Sequence, residues 1–437
     1  MEHFSIEGGF SVSGSITPQG NKNEALPVIC AALMCPHPVR IHNIPDIEDV
    51  RNLLKIARFL GAEIQPINGD AHSLEMYTPE IKNVELSEEL TSPIRGAITL
   101  IAPVLARQKK VYMPRPGGDK IGRRRVDTHL LALEALGAII EVSREGYLIK
   151  AEKLTGTEIL LDEASVTGTE NAVMAAAVAH GKTVIENAAS EPHVQGLCHF
   201  LVASGVKIEG IGSNILTIYG VGDYSKLKSV EHHIGPDYLE VGSFISIAAL
   251  TGGELTVKNI IPRDLRMIRI VFKKLGIHFE YADENASRTD LHIQKNQKLV
   301  IETDVHGEIP KLDDAPWPAF PADLISIALV TAVKCSGTVL IHEKLFESRL
   351  YFTDKLISMG AKIVLCDPHR AVIIGPSQLH AAQLTSPDIR AGMALVIAAL
   401  AAQGTSLIQN ILQIDRGYEK IDERLRTLGA KINRVIL

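Results

Sequence analysis

An internal repeat constrains this chain more than any other feature. A signal of the form Leu-Gly-Ala-x-Ile, loose in some copies, recurs around Gly61, Gly137, Gly205, Gly276, Gly360 and Gly429, at intervals of 76, 68, 71, 84 and 69 residues. Self-similarity of this kind means that one supersecondary unit packs on copies of itself. Each copy ends a helical apolar pattern, as at Val50, Leu53, Leu54, Ala57 and Leu60. The glycine suits a left-handed helix end, and the residues after it start a strand. Upstream of each helix lies a short strand, at residues 38–41, 111–113, 181–185, 253–257, 337–341 and 404–408. Before these strands run Ala-rich segments, such as 171–179, 325–333 and 393–402, that are apolar on nearly every side. A helix apolar all round must be buried all round.

A unit of about 74 residues is longer than a usual solenoid repeat, and six all-apolar helices need shared cores. The length of 437 residues exceeds what one core supports. The expected fold is therefore α/β with two domains, each enclosing three buried helices. The best boundary candidate is Glu231-His232-His233-Ile234-Gly235-Pro236-Asp237. Aromatic residues are only 5% of the chain, which fits a core of Ala, Ile, Leu and Val.

Composition excludes several functional classes. A chain 46% hydrophobic and 22% charged is an ordinary globular protein. A net charge of −6 argues against non-specific nucleic-acid or membrane-surface binding, which needs a basic excess. No apolar run reaches the roughly 18–20 residues of a membrane span. The start Met1-Glu2-His3-Phe4-Ser5 has no basic-then-apolar pattern, so no secretion signal is expected. Five cysteines at unrelated spacings read as reduced thiols of a cytoplasmic protein. The sixteen histidines show no ligand spacing of the His-Glu-x-x-His kind, so no metal site is expected, and His232-His233 reads as surface or capping.

The buried helices open on polar residues: Lys22-Asn23, Ser92-Pro93-Ile94-Arg95, Thr169-Glu170-Asn171, Glu240, Asp323 and Ser386-Pro387-Asp388-Ile389-Arg390. Ser92 is a natural cap with Pro93 at the first helical position, and Ser386-Pro387 repeats that form. Helix N-termini attract anions. With Lys22, Arg95 and Arg390 beside them, the groups suit either an anion-binding cleft or plain caps at domain ends. The loop Arg115-Pro116-Gly117-Gly118-Asp119-Lys120-Ile121-Gly122-Arg123-Arg124-Arg125 lacks the Lys-Ser/Thr of a phosphate loop, which argues against a nucleoside-triphosphatase reading. It reads as a charged lid or as a solvated charge run.

Six motifs carry a family resemblance across essentially the full length. They are Gly20-Asn21-Lys22-Asn23-Glu24-Ala25-Leu26-Pro27, the segment 116–129, Glu186-Asn187-Ala188-Ala189-Ser190-Glu191-Pro192, Ala315-Pro316-Trp317-Pro318 with Asp323, Phe346-Glu347-Ser348-Arg349, and Ile414-Asp415-Arg416-Gly417-Tyr418-Glu419. On these residues the chain resembles the enolpyruvyl transferase family. The resemblance implies a two-domain inside-out α/β barrel, with three βαβαββ repeats per domain around buried parallel helices. The first domain would span 22–232 and the second 1–21 with 233–437. It implies transfer of the enolpyruvyl group of phosphoenolpyruvate to the 3-hydroxyl of UDP-N-acetylglucosamine, with phosphate released and no cofactor or metal. The oligomeric state is left open.

By the same resemblance Lys22, Arg124 and Arg416 would hold the phosphate side, with Arg349 and Arg390 completing a basic cleft and Glu191 and Asp388 supporting it. Asp323 would accept the 3-hydroxyl proton. Asn23, Arg95, Arg124, Arg125, Val126, Asp127, Thr128, Ser165, Val166, Thr167 and Leu345 would line the nucleotide-sugar site. Asp119 stands where many members carry Cys, at the position thought to protonate the methylene carbon. A carboxylic acid of ordinary pKa near ~3.9 is ionised at neutral pH, so loop closure is expected to raise that of Asp119 by desolvation. The antibiotic fosfomycin alkylates the family's Cys, and the Asp form is expected to resist it. Arg125, Thr167 and Gln413 stand where Pro, Gly and His are common. The sister branch acting on shikimate 3-phosphate expects Gly-Asp-Lys-Ser where this chain reads Gly20-Asn21-Lys22-Asn23. A non-catalytic UDP-sugar-binding paralogue is the alternative of another class, against which the intact Lys22, Asp119, Arg124, Asp323 and Arg416 speak.

Overall fold

The computed structural model describes residues 2–118 and 121–436. The chain forms two compact units, one of residues 2–19, 121–123 and 236–436, the other of 20–118 and 124–235. Each contains three sheets, five of the six mixed and one antiparallel, and no closed barrel links the sheets among the described residues.

The repeat is visible residue by residue. The six glycines adopt φ of 113°, 101°, 101°, 79°, 100° and 93°, left-handed values that a residue with Cβ rarely tolerates. Each glycine ends an outer helix, and a strand follows within a few residues, as Glu63–Ile67 follows Glu48–Leu60. The short strand upstream of each helix also forms, for example Val39–His42, Lys110–Pro114 and His180–Glu186. In five sheets it pairs parallel on one side and antiparallel on the other. In the sixth, a three-stranded sheet, the parallel side is reduced to one bridge between Glu85 and Tyr112.

Three helices per unit lie inside. Tyr238–Thr251, Ile325–Lys334 and Ile389–Ala401 pack on one another in the first unit, nearly every residue fully buried. In the second, Lys22–Ala32 packs on the 3-10 turn Arg95–Leu100, and Ile101–Gln108 packs on Val166–Val178. Alanines 172, 175, 176 and 177 are wholly buried and let this last helix sit close to its neighbours. Four cysteines are buried and Cys366 is exposed. Among the described residues no helix is long and apolar enough to cross a membrane.

Three capping expectations fail. Ser92 closes the short helix Glu88–Thr91, and extended backbone at Ile94 separates it from the buried turn that starts at Arg95. The cap before Ile389–Ala401 is Asp388 rather than Ser386: its carboxylate accepts from the Arg390 and Ala391 amides at 2.8 and 2.9 Å, and a carboxylate suits the positive helix end better than a hydroxyl. Ser165 caps Val166–Val178, leaving Thr169, Glu170 and Asn171 about one turn inside.

Candidate active site

The site residues expected from the sequence fall into clusters within each unit. In the first, Asp323 is the middle residue of the 3-10 turn Ala322–Leu324 that leads into Ile325–Lys334. Arg349 Nη2 donates to its Oδ1 at 3.2 Å, and Arg390 Nε donates to Oδ2 at 3.1 Å. Both guanidinium groups are buried, whereas the Asp323 side chain keeps 30% of its exposure. Arg390 also donates to the Tyr418 hydroxyl (3.2 Å), itself 3.0 Å from the Ser243 hydroxyl. Burial works against both arginine charges, but Tyr418, Asp323 and Asp237 around Arg390, and Asp323 and Glu343 around Arg349, raise both pKa values above the ordinary one. Asp388 holds the backbone of Arg390 as the helix cap and so fixes where its side chain starts.

Behind Arg349 lies a carboxyl pair that the sequence did not reveal. Burial, with the Asp314 carboxyl alongside, pushes the Glu343 pKa up to about 9. Glu343 is therefore neutral at pH 7. Its Oε1 accepts from the Leu345 and Phe346 amides at 3.2 and 3.0 Å. Its Oε2 stands 3.6 Å from Arg349 Nε. Glu343 Oε2 and Asp314 Oδ2 are both buried without a conventional donor, and one proton shared between the carboxyls satisfies both. Leu345, beside this pair, is exposed. Arg416 Nη1 donates to Gln413 Oε1 at 2.8 Å.

In the second unit, Asn21 caps Lys22–Ala32, which sets Lys22 at the first turn with Asn23 beside it. Lys22 Nζ pairs with Asp49 Oδ2 at 2.7 Å, both side chains nearly buried. Arg95 binds backbone: Nη2 donates to the Arg124 and Arg125 carbonyls at 2.9 and 3.1 Å, and Nη1 to that of Pro116 at 3.4 Å. Burial and the neighbouring Arg124 lower its pKa to about 10, leaving it charged at pH 7. It thereby clamps both limbs of the 115–125 loop. The loop base needs its glycine: a Cβ on Gly117 would stand 1.9 Å from the Ser92 carbonyl oxygen. Asp119, the expected proton donor, lies outside the described residues.

Beyond the loop, Val126 caps Asp127–Ala135, and Asp162 gathers two expected site residues. Its oxygens accept from Arg125 Nη2 at 2.8 Å and from the Thr128 hydroxyl at 2.7 Å, while Asp127 also pairs with Arg125 at 3.3 Å. Deeper in, the wholly buried His129 joins Thr167 to Asn171. Asn171 Oδ1 accepts from the Ala102 amide and its Nδ2 donates to the Ile98 carbonyl, which fixes the amide orientation. Nδ2 thus also donates to His129 Nδ1 (2.8 Å), and His129 Nε2–H donates to the Thr167 hydroxyl oxygen (3.1 Å). Burial and nearby Arg95 drive the His129 pKa down to about 3. The imidazole is neutral, and the Thr167 hydroxyl keeps its own proton to donate elsewhere. Ser165 caps the buried helix whose first turn holds Val166 and Thr167, and a helix N-terminus favours an anion. Glu191 precedes the helix Pro192–Ala203.

Asp49, Asp162, Glu343 and Asp314 were not singled out from the sequence. Asp49 resembles any acidic residue in a first helical turn, Asp162 gains its role from Arg125 and Thr128, 37 and 34 residues away, and Glu343 and Asp314 gain theirs from each other across the fold.

Two units of three sheets around buried helices, with cations at the helix mouths, define a two-domain transferase fold, and comparison with known proteins agrees. The family described as EPSP synthase (3-phosphoshikimate 1-carboxyvinyltransferase) matches residues 6–425, so the chain belongs to that enolpyruvyl transferase family. Within it, the chain is 53% identical to UDP-N-acetylglucosamine 1-carboxyvinyltransferase of Treponema denticola over 99% of both chains. It is 52% identical to the protein of the same name from Bradyrhizobium diazoefficiens, covering 98% of this chain and 97% of the relative. Among solved structures, the enolpyruvyl transferase NikO from Streptomyces tendae superposes with a TM-score of 0.86 over 99% of both chains at 23% identity. An EPSP synthase from Acinetobacter baumannii gives 0.76 over 100% of both at 17%. These two show the fold alone.

Proposed function

We propose that this protein is a transferase that moves the enolpyruvyl group of phosphoenolpyruvate onto the 3-hydroxyl of UDP-N-acetylglucosamine and releases phosphate, the step that begins peptidoglycan precursor synthesis. The observation that carries the chemistry is Asp323 held by a guanidinium on each oxygen. A carboxylate so held is a positioned base whose two cations are also attractive to an anionic substrate. When the substrate's phosphate or carboxylate draws on Arg349 and Arg390, Asp323 is released to take the hydroxyl proton. The full-length identity to proteins named UDP-N-acetylglucosamine 1-carboxyvinyltransferase favours that acceptor over shikimate 3-phosphate.

In this reading the sugar oxygen bonds to C2 of phosphoenolpyruvate as its proton passes to Asp323, and Asp119 protonates the methylene carbon. Loss of a proton from the resulting methyl group then expels phosphate and restores the double bond. Lys22, Arg124 and Arg416 hold the phosphate. Asn23, Arg95, Arg125 to Thr128, Ser165 to Thr167 and Leu345 hold the nucleotide sugar, and Glu191 and Asp388 support the charged groups. The two domains would be 22–232 and 1–21 with 233–437, and the location cytoplasmic, as the reduced buried thiols favour.

Phosphate release with each acceptor tests the reading. Turnover with UDP-N-acetylglucosamine alone supports it; turnover with shikimate 3-phosphate, or with neither, refutes it.

A further inference from the structure

Outside the site just described, the second unit carries a cluster with no role in that chemistry. Strands Val39–His42 and Val230–His233 pair in parallel, with His42 opposite His233 and Arg40 opposite Glu231. Side chains alternate along a strand, so Val39, Ile41, Val230 and His232 point inward. His232 Nε2–H there donates to Glu24 Oε1 at 2.9 Å. The same alternation turns His42, Glu231 and His233 together onto the outer face. His42 Nε2 lies 3.0 Å from Glu231 Oε1. The two imidazoles stack with centroids 4.5 Å apart and planes 20° from parallel. One ligand atom from each of the three residues lies within 4.8 Å of the others.

The hydrogen bonds behind His42 decide what its outer nitrogen presents. The Ser73 hydroxyl donates to Asp70 Oδ2 at 2.7 Å. Ser73 Oγ, 3.0 Å from His42 Nδ1, therefore accepts, and Nδ1 carries the proton. In the neutral ring, Nε2 then aims a lone pair at the Glu231 carboxylate, an arrangement that requires a cation: either a second proton on His42 or a metal ion. A carboxylate–hydroxyl–imidazole chain of this kind is also how metal-bound histidines are oriented. Arg40, the nearby cation competing for Glu231, is engaged with Glu75 at 2.9 Å.

We propose that His42, Glu231 and His233 form a binding site for a zinc-class divalent cation, with water completing the coordination. Two imidazoles and one carboxylate are borderline donors that suit Zn(II) and leave a position open. Zinc bonds of about 2.0–2.2 Å need these atoms drawn closer than the 4.8 Å within which they lie, and need the two rings to turn out of their stack so that both lone pairs converge; His233 and Glu231, both exposed, have the room to turn. The ion would tie the two strands together beside Ile234, whose amide donates to the His42 carbonyl at 3.0 Å and whose carbonyl accepts from Asn43 at 2.9 Å.

The test is titration of tag-free, chelator-stripped full-length protein with zinc chloride, by calorimetry and by competition with a chromophoric chelator. A Cys366→Ser background removes the exposed thiol. One ion per chain with micromolar affinity is expected, together with a rise in Tm on zinc addition. His233→Ala and His42→Ala should each weaken binding at least tenfold and abolish the Tm rise, whereas His306→Ala, at an exposed histidine elsewhere, should change neither. Ser73→Ala should weaken binding with all three ligands intact. No binding below millimolar zinc, or equal affinity in His233→Ala and its parent, would overturn the proposal. Circular dichroism shows whether each variant is folded, and His233, at the exposed end of an edge strand, is the substitution least able to disturb the fold.

Discussion

The neutral, buried His129 makes the stability of the second unit depend on pH in a calculable way. Its pKa is about 3 in the folded chain and ~6.5 when unfolded. The folded pKa is depressed, so the unfolded state binds the extra proton between these values. The contribution to stability is complete above pH ~6.5 and is lost as pH falls toward 3. Between pH 8 and pH 5 the unfolded chain gains about 2 kcal/mol from protonating this one side chain, while the folded chain gains almost nothing. His129→Gln keeps a donor and an acceptor but cannot titrate. The variant will be less stable at pH 8, having lost ring contacts, but from pH 8 to 5 it should lose about 2 kcal/mol less than its parent. That difference of differences cancels the other fifteen histidines. The assay is urea unfolding followed by far-UV circular dichroism at each pH. Fluorescence is unsuitable, because Trp317, the only tryptophan, lies in the other unit. In 15N-histidine-labelled protein, His129 should keep its Nε2–H tautomer at pH 5 while exposed rings become doubly protonated. Equal losses in parent and variant, or an imidazolium at His129 at pH 5, would refute the reasoning.

Glu343 works in the opposite sense. Its folded pKa of about 9 exceeds the unfolded value of ~4.3, so stability falls by up to ~1.4 kcal/mol per pH unit as pH rises between them. Glu343→Gln should flatten that decline between pH 6 and 9 in urea midpoints; a decline as steep as the parent's would contradict the shared proton. Arg390→Lys cannot reach Asp323 and Tyr418 together, and loss of a charge-assisted contact of ~2–3 kcal/mol should lower kcat/KM about 30- to 150-fold, a change under threefold counting against the Asp323 clamp. Asp119 should make the enzyme insensitive to fosfomycin, because a carboxylate is a poorer nucleophile than a thiolate; rapid stoichiometric labelling in mass spectra would contradict this. Asp119→Asn should remove the basic limb of the pH–rate profile, and an unchanged profile would eliminate Asp119 as proton donor.

What was legible in the sequence, and what was not, divides by the range of the interactions involved. A left-handed glycine after an amphipathic helix is a local event, written in a few adjacent residues, and so Gly61 and its five counterparts could be read directly. A helix apolar on every side also reports its own burial, because no exposed face is available to it. Capping was less legible because Ser92, Ser386 and Thr169 compete with neighbours: Asp388 outbids Ser386 with a full charge, and Ser165 already satisfies the helix that Thr169 was expected to open. The site divides in the same way. Asp323 and Arg349 stand in motifs and Arg390 at the opening of a buried helix, but that both arginines grip one carboxylate is a fact of tertiary structure. Glu343 and Asp314, 29 residues apart in the sequence, become a proton-sharing pair only when the fold strips both of water. His42 and Glu231 are separated by 189 positions, so no search for ligand spacing could join them. Short-range geometry is thus encoded where it is used, whereas protonation states and coordination sets emerge from burial and from parallel strand pairing. The polar chemistry of this protein was therefore the part its sequence concealed most.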